Sequence, residues 1–280
     1  MDTKTFNIIY LNSIAVIYIH FYKTEYKYYN VNIKSFNLSK LINLLLSIIR
    51  DIINIGSDKL KKELKNFIIE SNSNLEYFDD IVNYILKTEK TVFNYFKIQK
   101  LFPKYKIIIM DYTPFKEYLL KQEGKIYNYI RGITEGQTIR ILNIEDQIKY
   151  TTHKDATLED TKKMIMHELV HMCHHFVNDD YNQTIWFREG LATNLSNQNY
   201  KKIDLSTCNF ELLKNDFYKF GKNNYSYAWT IVNYILNNYN DEEIRKLIND
   251  SDYLRKNADR LYEEAKESVK KTSQNKVKKK

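Results

Sequence analysis

The stretch from Thr157 to Val177 constrains the fold more than any other part of the chain. Thr157-Leu158-Glu159-Asp160 has the form of a capping box, a side-chain oxygen followed three residues on by an acid, and it marks a helix start. Beyond it, Ile165, Leu169, Met172 and Phe176 recur at helical spacing, and Met166, Val170, Cys173 and Val177 form a second stripe beside them. A helix apolar over most of its circumference has to be covered by other elements. Its remaining face carries His167, His171 and His174, groups that are costly in an interior unless they find partners.

The rest of the chain can supply that cover. Only 6 Gly and 2 Pro interrupt 280 residues, which permits long helices, and a 43% hydrophobic content excludes a disordered polymer. Residues 1–34 read as strand-like, with two short strands meeting at Asn12-Ser13, and 38–55 and 60–69 carry helical periodicity. A further helix is expected from Leu75 to Lys97. The character then changes: Tyr105–Met110 reads as a strand, Thr113-Pro114 opens a short helix, Gly132–Gly136 makes a turn, and Thr138–Leu142 forms another strand. The expected class is α+β. An N-terminal accessory region of strands and helices occupies 1–100, a second domain 101–268, and a basic disordered tail 269–280.

The net charge of +8 does not mark a nucleic-acid binder. Lys270, Lys271, Lys276, Lys278, Lys279 and Lys280 crowd the C-terminus; without these six, +8 falls to +2, and no basic helix with interleaved aromatics is present. The apolar run Leu41–Ile55 is interrupted by Arg50 and Asp51, so no membrane span is expected. No secretory signal is legible at the start, and Cys173 and Cys208 are too few for a disulfide framework, so a cytoplasmic location is expected.

His167-Glu168-Leu169-Val170-His171 is an H-E-x-x-H motif. Histidines four apart stand one turn apart on the same helix face, so both imidazoles can reach one Zn2+. Glu168 is rotated by one residue and stands beside the metal, where it can accept a proton from water. A catalytic zinc takes a third protein ligand. Glu189, in Trp186-Phe187-Arg188-Glu189-Gly190-Leu191-Ala192, follows a polar loop (178–184) that lets the chain reverse, and the small Gly190 and Ala192 allow helix backbones to approach.

HELVH followed by WFREGLA resembles the gluzincin branch of the MA superfamily of metallopeptidases, and the compact peptidase MA-like domains more than thermolysin or the zinc aminopeptidases. The resemblance covers residues 104–250 and implies a thermolysin-like zincin core: a small mixed sheet, the active-site helix and a mainly helical C-terminal part. It implies one zinc ion and hydrolysis of a peptide or protein substrate. It also implies a C-terminal helix over 225–239, with Tyr225 as donor to the oxyanion and Tyr227 as the reserve choice. Residues 132–138 would border the cleft, where the adjacent strand would pair with an extended peptide. The metzincin pattern fails, because the Gly and third His it needs are His174 and Val177 here. The acid that thermolysin-like enzymes often carry four residues after the ligand Glu is Thr193 here, a weaker partner for a zinc imidazole. His174 is expected beside the site without ligating, and His153 in a loop. The competing reading is a catalytically inactive or very selective binding protein on the same fold.

Overall fold

In the computed structural model, which describes residues 60–277 apart from 102 and 199, strands and helices share the first half and helices alone build the second. Strands β1 (Lys61–Glu63) and β2 (Phe67–Ser71) precede helix α1 (Phe78–Phe96), which leads to β3 (Tyr105–Met110). Helix α2 (Tyr112–Glu123) then leads to a hairpin of β4 (Gly132–Glu135) and β5 (Thr138–Leu142), turned at Gly136 with φ 53°. The sheet order is β1-β2-β3-β5-β4: β2, β3 and β5 run parallel, and β1 and β4 are antiparallel edge strands. Helices α3 (Ile144–Tyr150) and α4 (Leu158–Val177) follow, then a 3-10 turn (Tyr181–Thr184), α5 (Ile185–Leu195) and α6 (Phe210–Asn215). Finally α7 (Asn224–Asn238), α8 (Asp241–Asn249) and α9 (Ser251–Val277) complete a mixed α/β arrangement.

Apolar material on both sides of the sheet explains the run Ile107-Ile108-Ile109, as parallel strands covered on both faces require. Phe67, Ile69, Ile107, Ile109, Ile139 and Ile141 share one core with α1 and with Ile165 and Leu169 of α4. Met110 and Leu142 instead pack with Phe115 and Leu119 of α2. Helix α4 begins as its sequence requires: Thr157 Oγ1 accepts from the Asp160 backbone N–H at 3.2 Å, and the Asp160 carboxylate accepts from the Thr157 N–H at 3.1 Å.

Four expectations need correction. Residues 60–69 form β1 and the start of β2, not a helix, because alternate residues Phe67 and Ile69 insert into the core beside β3. No division occurs near residue 100, since β2 pairs with β3 across it and all described residues belong to the unit Ser57–Lys280. Gly132 starts β4, and the hairpin turn falls at Gly136. Residues 269–277 continue α9, a helix anchored by buried Leu254, Ala258, Leu261, Ala265 and Val269. The strands expected in 1–34, the helix expected in 38–55, and residues 278–280 lie outside the described residues. Cys173 and Cys208 are free thiols, and no described helix is long and apolar enough to cross a membrane.

Candidate metal centre

Helix α4 presents His167 and His171 one turn apart, and both are buried. Helix α5 packs against α4 and delivers Glu189, 3% exposed, to the same point. Glu189 Oε2 lies 3.3 Å from His167 Nε2 and 3.4 Å from His171 Nε2, and the two Nε2 atoms are 2.9 Å apart. A tetrahedral centre with bonds of 2.0–2.1 Å has edges of about 3.3 Å, so the spacing suits one small divalent ion. These three residues form a buried group able to hold a metal ion.

The protonation states agree with that use. Burial pushes the His171 imidazole below its ordinary value, toward the neutral form, with only partial opposition from Glu189. Burial alone would raise the Glu189 carboxyl, but the two imidazoles and the Arg188 guanidinium together hold it well below the usual carboxylate range. Neutral imidazoles and an ionised carboxylate are the forms that ligate metals.

Packing around α5 sets the third donor. Trp186 and Phe187 are fully buried, and Gly190 faces α7 so closely that an added Cβ would lie 2.6 Å from the Ala228 carbonyl oxygen. The small residue at 190 therefore serves the approach of α5 to α7, whereas the sequence had associated it with α4.

Glu168, also buried, is held separately: its Oε2 accepts from Thr134 Oγ1 at 2.6 Å. Thr134 belongs to edge strand β4, which lies against α4 because Gly132 has no side chain. A Cβ there would meet Ile141 Cδ1 at 2.8 Å and Met164 Cγ at 3.1 Å. Both carboxylates and both imidazoles line a cleft of about 400 Å3, walled by Tyr127, Tyr129, Ile130, Ile133, Tyr218 and Tyr225.

No protein-family model matches the chain, and no curated protein matches it.

Tyr225 stands in the first turn of α7 on the cleft wall. Burial, reinforced by Glu189, pushes its hydroxyl far above the ordinary value, so it remains protonated and able to donate. Tyr227 points elsewhere: its hydroxyl is 3.0 Å from Thr207 Oγ1 and its ring packs on Phe220. His174 is structural, with Nε2 3.1 Å from the Ile248 carbonyl oxygen and its ring against Phe96 and Phe187. His153 lies in the loop before α4, its Nε2 3.1 Å from the Tyr129 carbonyl oxygen. Thr193 does not support the imidazoles, because its hydroxyl bonds the Glu189 and Gly190 carbonyls of its own helix at 2.8 and 3.0 Å. Nδ1 of His167 and of His171 meet no acceptor among the described residues.

Three residues of the site were not assigned from sequence. In the sequence Thr134 stands only within a cleft border, Arg188 only within the WFREGLA run, and Tyr218 in no motif. Tyr218 comes from the segment between α6 and α7, and nothing local distinguishes it among 24 tyrosines.

Proposed function

We propose that the protein is a zinc-dependent metallopeptidase of gluzincin type, with His167, His171 and Glu189 holding one Zn2+ and Glu168 as general base. The observation that carries this reading is the meeting of two imidazole nitrogens and one carboxylate oxygen within 3.4 Å, beside a second carboxylate anchored independently in an open cleft. Three protein ligands are the complement of catalytic zinc, and four that of structural zinc. When bound, such an ion lowers the pKa of water and polarises a carbonyl.

The chain's own groups supply the remaining chemistry. Thr134 occupies Glu168 Oε2, and Glu168 Oε1 would take up the attacking water. As the water oxygen bonds to the scissile carbonyl carbon, Glu168 takes its proton, and then delivers it to the leaving nitrogen as the C–N bond breaks. The Tyr225 hydroxyl donates to the carbonyl oxygen as that atom becomes anionic. An extended peptide laid along edge strand β4 brings its backbone past Thr134 and Glu168, so the expected substrate is a peptide or protein.

One observation favours the competing reading of an inactive or very selective binding protein. Zinc imidazoles ordinarily donate their second N–H to an acceptor that raises ligand basicity, and both Nδ1 atoms lack one among the described residues. Metal content and cleavage of a proteome-derived peptide library separate the two. Wild type is expected to retain zinc and cleave, and Glu168→Gln to retain zinc without cleaving. Zinc without cleavage in wild type favours the binding protein, and undiminished turnover by Glu168→Gln refutes the base assignment.

A further inference from the structure

Glu189 has two carboxylate oxygens in different surroundings. Oε2 faces the histidines, while Oε1 accepts from Arg188 Nη2 at 2.8 Å and from the Tyr218 hydroxyl at 3.3 Å. The same Nη2 also donates to the Tyr218 hydroxyl oxygen at 2.9 Å, which closes a three-membered ring of hydrogen bonds around Oε1. Arg188 is anchored in turn through Nη1 to Asn182 in the 3-10 turn. The carboxylate and the guanidinium are shielded, with side chains 4% and 13% exposed.

We infer that Arg188 and Tyr218 form a clamp that confines Glu189 to single-oxygen ligation, and so select a small four-coordinate ion over larger ions. This inference rests on the metal-centre reading. Both lone pairs of Oε1 are committed to donors, so Glu189 can become bidentate only by giving up a charge-assisted hydrogen bond in a shielded place. Such a bond corresponds to a factor on the order of ten to a hundred in an equilibrium constant. Zn2+ loses nothing by the restriction, since four-coordinate zinc takes one carboxylate oxygen. Larger ions that fill their coordination with bidentate carboxylates, as Ca2+ does, lose a ligand atom. Cd2+ is the sharper probe: it shares zinc's preference for nitrogen but is larger and accepts more donors. Arg188 and Tyr218 are thus positioning residues for the ligand.

The test is the ratio of Cd2+ to Zn2+ affinity, measured by chelator competition in wild type, Arg188→Met and Tyr218→Phe. A ratio cancels two trivial effects: the uniform gain in cation affinity when a positive charge is removed, and any uniform loss from loosened packing. Arg188→Met is expected to shift the ratio toward cadmium by about tenfold. Tyr218→Phe, at a residue 59% exposed, is expected to fold normally and to shift it in the same direction by less. The Co2+-loaded protein provides a spectroscopic check, because its visible absorption weakens when a further oxygen joins the ion; Arg188→Met is expected to be paler than wild type. Unchanged ratios and spectra in both variants overturn the clamp while leaving the metal centre standing. Failure of wild type to bind either ion overturns the metal centre, and the clamp with it.

Discussion

Replacing Gly190 by alanine tests how the third ligand is held. The added Cβ would lie 2.6 Å from both the Ala228 carbonyl oxygen and Val232 Cγ2, whereas ordinary contact begins near 3.4 Å. One of these neighbours is backbone, so rotation of a side chain cannot relieve the overlap and α5 must move away from α7. Overpacking of this kind costs about 1–3 kcal/mol. Alanine returns about 1 kcal/mol through its better helix propensity. With a backbone clash toward the upper end of the first range, the net loss is about 1–2 kcal/mol, or about 2–8 °C in Tm for a unit of this size. The displacement also shifts the adjacent Glu189 relative to the imidazoles, so zinc affinity is expected to fall with stability. Thermal unfolding of the metal-free protein and chelator competition for zinc measure the two effects separately. A variant that melts at or above wild type, with unchanged zinc affinity, would refute the close approach of α5 and α7.

Other substitutions probe neighbouring parts. Thr134→Val removes the anchor of Glu168 but none of the three metal donors, so zinc binding is expected to persist while kcat on peptides falls by about tenfold, the equivalent of one charge-assisted hydrogen bond; unchanged kcat contradicts the positioning. Thr157→Ala is expected to cost about 1 kcal/mol in urea unfolding at neutral pH. The Thr157 hydrogen bond holds the Asp160 carboxyl below its ordinary value, so its contribution is present above about pH 3.9 and is lost as pH falls through the lower folded value. The gap between Thr157→Ala and wild type should therefore narrow in acid, leaving the pH-independent cap bond from the Asp160 N–H, and a constant gap contradicts the linkage. Leu261→Ala is expected to cost about 2–5 kcal/mol, because the side chain is fully buried in α9; a negligible loss contradicts packing of that helix.

The parts legible in sequence were those whose cause is local. Helix α4 carries its start signal in Thr157 and Asp160 and its interior position in two apolar stripes, although Phe176 at its end is 45% exposed, where the helix leaves the core. Glu189 was legible because it lies in a distinctive run a short loop beyond His171. The errors have long-range causes. Leu60 to Ile69 contains good helix formers, and only pairing with Tyr105 to Ile107 makes its second half a strand. The terminal lysines follow Leu254, Leu261 and Val269, whose helical spacing carries α9 into the basic segment. Thr134 and Tyr218 reach the site from elements distant in sequence, and a threonine in a hairpin or a tyrosine in a loop carries no local mark of its partner.

The most direct test is zinc stoichiometry and X-ray absorption of the zinc-reconstituted protein, with His167→Ala, His171→Ala and Glu189→Ala alongside. One zinc per chain is expected, in a shell of two imidazoles plus oxygen, with binding weakened by each substitution. A protein that retains no zinc, or a zinc environment that Glu189→Ala leaves unchanged, would contradict convergence of these three side chains on one ion.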